Sequence, residues 1–409
     1  MPTTRLTPLL EQKLGQLSDS GRLKGDHPVT VGVLAPDGGK GPRFLLEGAG
    51  ETPFLRMNSN SYLGMSFATR VMQAEEEAVR RYGTGPGAVR FISGTWAPHV
   101  ALEARLARFH RREAAMLFSS AYATVMGVLP ALITDETAVI SDELNHSCII
   151  NAIALARPKE KCVSRHLDLD DIERHLSSVA KTCKRAVIVT DGVFSMRGDH
   201  APLAQINKIA EEFDALFPEN IIVVVDDSHG VGAFGATGRG TEEVCGSGPV
   251  DLLIGTLGKA FGVNGGYVAA SNAIVSYLRE TSPFYIYSNP ITPGEAEAAL
   301  VAVDLLDTEE GQGLLAHLRT LTERFREGLR KLGLETVRGE HPVVPLLVRD
   351  TANTARLVEH LRQSGILATG LNYPVVPKGE EEIRFQISAD HTTGDIDEAL
   401  AALSHFAGA

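Results

Sequence analysis

The stretch Ile221–Gly240, IIVVVDDSHGVGAFGATGRG, decides the fold. Its opening residues, Ile221 to Val225, are all β-branched and read as a strand buried on both faces, which runs directly into two carboxylates, Asp226 and Asp227. A second apolar run, Leu252 to Leu257, follows the glycine-rich connection and leads to Lys259, set among Gly258, Ala260 and Gly262. In open α/β sheets the ligand lies outside the carboxyl ends of the strands. Asp226 and Lys259 are therefore expected at one crevice, reached from two strands.

Taken singly, Asp226 reads as a turn cap and Lys259 as a surface lysine. Together, an acid and an amine at one crevice meet the demands of pyridoxal 5'-phosphate. The amine forms a Schiff base with the aldehyde, and the carboxylate keeps the ring nitrogen protonated, which makes the ring an electron sink. His229, three residues past Asp226, adds a polar group at the same strand end.

Outward from this pair, Ala114–Phe118, Ala138–Ser141 and Arg185–Thr190 read as further strands, each ending in polar residues. Ser119 and Ser120 are placed to cap a helix starting near Ala121, and a helix N-terminus is a ready phosphate site. His146, in DELNHS beside Asn145, reads on its own as a core or surface histidine, although an imidazole at a strand end can stack on a flat ring, and Ser195, in DGVFSM, reads as a turn serine whose hydroxyl can donate to the cofactor's phenolic oxygen. Thr256, three residues before Lys259, is a second candidate for the phosphate. Near the C-terminus Ile383, Phe385 and Ile387 alternate with Arg384, Gln386 and Ser388, so Arg384 points away from the apolar layer, where it reads on its own as a solvated charge, although its planar fork can grip a carboxylate. Asn60, in NSNSYLGM, reads on its own as an Asx-turn.

The chain has 409 residues, 44% of them apolar, enough for a large core in two or three domains. We read 1–57 as an N-terminal helix, with Leu6, Leu9, Leu10, Leu14 and Leu17 on one face, then a loop over 22–42 and a short hairpin made by 43–47 and 54–56. Residues 58–291 form the cofactor-binding domain and 292–409 a smaller C-terminal α+β domain. A formal net charge of -12 argues against nucleic acid or an anionic membrane as the main partner. No run approaches the length of a membrane span. The 4 cysteines show no metal spacing and suit a reducing, cytoplasmic setting, so no metal is expected.

These motifs, VDDSHGVG, GTLGKAFG, SDELNHSCII and DGVFSM, in order and in register from about Asn58 to His391, resemble the α-oxoamine synthase family of pyridoxal-phosphate enzymes. The resemblance implies the type I transferase fold, an α/β large domain with a mainly parallel sheet plus a smaller C-terminal domain. It also implies that Lys259 carries the cofactor, that Asp226 pairs with its ring nitrogen and that His146 stacks on the ring. Ala121 and Tyr122 would give backbone contacts to the phosphate, Asn60 would lie beside the substrate, and Arg384 would hold the amino acid's carboxylate. Ser288 and Asn289, in YSNPITP, would reach into the neighbouring subunit's site, so that a homodimer shares its active sites.

The tail NYPVVPKGEEEIRFQISADHT is similar to the glycine C-acetyltransferase branch of that family. This implies glycine as amino acid, acetyl-CoA as acyl donor, and His146 and His229 assisting Lys259 and Asp226. Val125 stands where the family commonly has Asn, and Ala121 and FGVNGG are also unusual. An enzyme of the 8-amino-7-oxononanoate synthase kind, or one of specialised metabolism with a longer acyl-CoA, a carrier-protein thioester or another amino acid, is the alternative. An aminotransferase on the same fold is more remote, and a non-catalytic partner subunit would be expected to lack Lys259.

Overall fold

The computed structural model describes residues 3–20, 22–23, 27–373 and 375–407. The expectations that fall on Met1, Pro2, Gly21, Lys24–Asp26, Pro374, Gly408 and Ala409 lie outside the described residues. Near the start of the chain lies α1 (Leu6–Asp19), whose leucine face is exposed: Leu6, Leu9, Leu10 and Leu14 each leave about half of their surface open.

The next segment departs from the expectation. A strand, β1 (Thr30–Leu34), lies inside the anticipated loop and pairs antiparallel with β2 (Arg43–Leu46), while Phe54 touches β2 only through an isolated bridge to Phe44. The Thr-Val-Gly-Val-Leu alternation is interrupted by Gly32 and framed by Gly, Pro and Asp, so its strand signal is masked. β3 (Leu55–Arg56) pairs in parallel with Ile366–Leu367 near the other end of the chain. Arg43, buried, donates to Asp395 at 2.7 Å and Glu398 at 3.0 Å, fastening the arm to the C-terminal part.

The main sheet has 7 strands: β4 (Ala114–Phe118), β5 (Thr137–Asp142), β6 (Glu160–Ser164), β7 (Arg185–Asp191), β8 (Ile221–Asp226), β9 (Leu252–Thr256) and β10 (Gly266–Ala270). Their spatial order is β4-β10-β9-β8-β7-β5-β6, and β10 runs antiparallel to both neighbours in an otherwise parallel sheet. The central strand explains the composition of its segment. Val223 and Val225 enter one apolar cluster and Val224 the other, so both faces are covered and only the strand end is free for polar residues. Helices α2 (Thr69–Tyr82) and α3 (Ala97–Phe109) precede the sheet, and two helices that follow strands matter for the site: α4 (Ala121–Leu132) and α5 (Ser147–Ala156), which leave the ends of β4 and β5.

Helix Pro293–Leu306 packs on α2 and α3 and is followed by the long helix Glu309–Lys331. Beyond it β11 (Val343–Leu347), β12 (Ile366–Leu367), β13 (Thr369–Leu371) and β14 (Glu382–Gln386) complete the strands, with β14 between β11 and β13 in a small antiparallel sheet. Among the described residues no helix is long and apolar enough to cross a membrane.

Candidate active site

Register brings the strand ends together. Asp191 and Asp226 are directly paired, the last pair of β7 and β8, and Thr256 ends β9 opposite Gly266, where β10 begins. Along this edge a cleft with about 360 Å³ of empty space is lined by Ala121, Tyr122, His146, Ser195, Asp226, His229 and Lys259, together with Cys148, Asp191, Val193 and Ser228. Seven of the residues singled out from the sequence therefore meet in one place.

Asp226 accepts the Ser228 backbone N–H at 3.1 Å and the Cys148 thiol at 3.6 Å. Its neighbour Asp191 is held well above the usual carboxylate range, by burial first and by Asp226 second. Burial likewise pulls the Lys259 pKa down, against the attraction of Asp226 and Asp191, and favours the uncharged amine that a nucleophile or base requires. Asp227, the second carboxylate of the motif, serves the loop. It accepts Thr241 N at 2.7 Å and Thr241 Oγ1 at 2.6 Å, and Gly240, at φ +88°, leaves it room, since a Cβ there would fall 1.9 Å from Asp227 Oδ2.

His146 caps α5: its ring Nδ1 accepts Cys148 N–H at 3.3 Å while its backbone N–H donates to Asp191 Oδ2 at 3.1 Å. Burial lowers the pKa of this imidazole. Asn145 fixes the turn by bonding Ser141 on β5 and both Val189 and Asp191 on β7, at 2.8–2.9 Å. Tyr122 meets the His146 ring edge-on and accepts from Asn151 at 2.6 Å.

At the start of α4, Ser120 accepts from Ala123 N at 3.1 Å, which leaves the earlier N–H groups free. Gly266 of β10 passes directly beneath them. Thr256 accepts Gly258 N–H at 3.1 Å and donates to the Gly265 carbonyl at 3.2 Å. Arg384 is tied to the cleft through Ser195, whose carbonyl accepts Nη1 at 3.1 Å, and its buried Nε–H has no acceptor among the described residues. Asn60 reaches the site indirectly: it accepts from Gln386 and lies 3.4 Å from Tyr62 Oη, which in turn bonds His229 at 2.7 Å. Ser288 is half-buried and Asn289 exposed; neither lines this chain's cleft.

The residues present fit pyridoxal phosphate. Lys259 is half-buried, and among the described residues it forms no ion pair and the buried Ser228 Oγ in the cleft wall has no partner; a capped helix start with free N–H groups adjoins a carboxylate and a histidine ring. No cluster of metal-binding side chains occurs among the described residues. Five participants escaped the sequence reading as site residues: Tyr62, Cys148, Asp191, Ser228 and His341. Ser228 and Cys148 were visible as neighbours of chosen residues, whereas nothing local marked His341, which reaches the site from the far part of the chain.

The sequence matches the aminotransferase class I and II family over residues 52–403. It is similar to 8-amino-7-oxononanoate synthase of Thermosipho melanesiensis, 41% identical over 347 residues, which are 85% of this chain and 86% of that protein. It is also similar to mitochondrial 2-amino-3-ketobutyrate coenzyme A ligase of Bos taurus, 38% identical over 400 residues, 97% of this chain and 91% of that protein. Among solved structures, serine palmitoyltransferase of Sphingomonas wittichii superposes with a TM-score of 0.87 at 25% identity, covering 99% of this chain and 97% of that one.

Proposed function

The chain belongs to the aminotransferase class I and II family and, within it, to the pyridoxal-phosphate-dependent α-oxoamine synthases with the type I fold; from that premise we propose that it joins glycine to the acetyl group of acetyl-CoA. The products are CoA and a β-keto acid or the amino ketone left when that acid loses CO2. The observation that carries the reading is Lys259 in one cleft with Asp226, with burial favouring the free amine.

Bound in the cleft, pyridoxal phosphate would supply an electron sink for the charge left on the amino acid's Cα. The chain's own residues divide the remaining work. Ser120, Ala121, Tyr122 and Thr256 form the seat for the phosphate, with the helix dipole of α4 behind it. Asp226 holds a proton on the ring nitrogen, His146 offers a flat face to the ring and Ser195 donates to its phenolic oxygen. Arg384, with Asn60 joined to the same strand through Gln386, would grip the substrate carboxylate and so orient its Cα toward Lys259. Lys259 takes the Cα proton as general base, and His229 donates to an oxygen of the reacting groups.

Glycine and acetyl-CoA are supported by the Val-Val-Pro tail and by a ligase relative that matches nearly the whole chain. A synthase using a longer acyl thioester is the second reading, favoured by the 41% identity to an 8-amino-7-oxononanoate synthase. Exposure of Tyr287 and Asn289 supports a homodimer in which Ser288 and Asn289 serve the partner's cleft. Free cysteines support a cytoplasmic setting.

Exchange of the glycine Cα proton in D2O, followed by proton NMR without any acyl donor, tests the site. Wild-type protein should exchange it, and Lys259→Ala should neither exchange it nor show the cofactor's long-wavelength absorbance. Exchange by the variant at the wild-type rate would refute Lys259 as the base.

A further inference from the structure

We propose that Tyr62 and His341 are positioning residues that lock His229 as its Nε2–H tautomer, so that it faces the cleft as a hydrogen-bond donor and not as a base. This rests on the cleft being the catalytic site. Tyr62 is fully buried, and its hydroxyl lies 2.7 Å from His229 Nδ1. Its ring meets His341 edge-on, with centroids 5.4 Å apart. His341 is equally buried, and both its nitrogens are committed: Nε2–H donates to the His229 carbonyl at 2.9 Å and Nδ1 accepts Val343 N–H at 3.1 Å. Backbone and ring of His229 are thus held from two sides.

A neutral imidazole carries one N–H, so the Tyr62 bond decides which nitrogen has it. Two arrangements are open: the phenol donates to Nδ1, or Nδ1–H donates to the phenol, whose own proton then goes to Asn60 Oδ1. The second requires an O–H···O bond of 3.4 Å, beyond the usual range, to an oxygen already taken by Gln386. The first satisfies the phenol O–H and Nδ1 together through the 2.7 Å contact and asks nothing of Asn60. Burial acts in the same direction on both groups, holding the phenol protonated and, with Lys259 second, the imidazole neutral. Nε2, with no protein partner among the described residues, is then the N–H that His229 presents to the cleft, and the Cα proton is left to Lys259.

Holoenzyme labelled with 15N-histidine tests this by long-range proton–nitrogen correlation, with the His229 signals assigned by their loss in His229→Asn. The wild type should show a protonated Nε2 and a bare Nδ1. Tyr62→Phe keeps the ring packing and should give averaged tautomers and a kcat lower by roughly 10- to 100-fold, the usual effect of losing an outer partner, with the KM for acyl-CoA little changed. A protonated Nδ1 in the wild type, or an unaltered tautomer in Tyr62→Phe, would overturn the proposal. If Tyr62→Phe fails to fold, the wild-type spectrum alone decides. A bare Nδ1 in a protein that never exchanges the glycine proton would uphold the tautomer and refute the catalytic reading.

Discussion

Gly266→Ala tests whether the first turn of α4 is the phosphate seat. Gly266 sits where β10 pairs with β4 on one side and β9 on the other, so the strand cannot move aside. A Cβ added there would lie 2.3 Å from Ala121 N, 2.5 Å from Ala121 Cα and 2.5 Å from the Ser120 carbonyl carbon. Ordinary contact begins near 3.4 Å, so about 1 Å must be found (3.4 less 2.3), and all three neighbours are backbone. The helix start has to shift, at a cost of about 1–3 kcal/mol in stability. The same shift misaligns the N–H groups aimed at the phosphate, and losing one charge-assisted bond of about 1.5–3 kcal/mol weakens cofactor binding by roughly 10- to 100-fold. Titration of cofactor-stripped protein with pyridoxal phosphate, followed by absorbance, reads the affinity, and thermal unfolding reads the stability. A folded, destabilised variant that binds the cofactor as tightly as the wild type would refute the seat.

Arg384→Lys replaces a planar fork by a point charge. It should raise the KM for the amino acid by at least about tenfold while leaving the cofactor spectrum intact; unchanged saturation by glycine would remove Arg384 from the carboxylate site. His166 lies between Asp142, 3.0 Å from Nδ1, and Asp199, 3.2 Å from Nε2. Burial opposes the charge, yet bonds to the two carboxylates raise the pKa to about 9. A raised native pKa contributes stability that is complete below about 6.5, the unfolded value, and is lost as pH rises through about 9. Discounted for partial exposure, the contribution is about 1 kcal/mol. In urea unfolding His166→Gln should therefore fall below the wild type near about pH 6 and converge with it near about pH 10; a constant gap would contradict the charged pairing.

The legible parts of the molecule are those with a local physical signature. β8 and β9 are continuous apolar runs because both sheet faces are covered, and Asp226 and Lys259 stand out because polarity changes abruptly at the free strand ends. Ser120 and His146 follow from the same rule, one as a cap on α4 and one on α5. Arg384 was found by alternation along β14, and the same alternation placed Gln386 on that face without revealing that it bonds Asn60. What stayed hidden depends on contacts distant in sequence. Tyr62 and His229 are 167 residues apart, and His341 acts on a backbone carbonyl 112 residues away. β1 was obscured for a different reason, a glycine at its centre and turn residues on both flanks.

The most direct test of the account is release of free CoA thiol from acetyl-CoA, measured with glycine and with no amino acid. Release that requires glycine, and that Lys259→Ala abolishes, is the predicted result. No release from acetyl-CoA in the presence of glycine, by protein that carries its cofactor, would contradict the proposed substrates, and release from a longer acyl thioester in the same assay would identify the second reading as the right one.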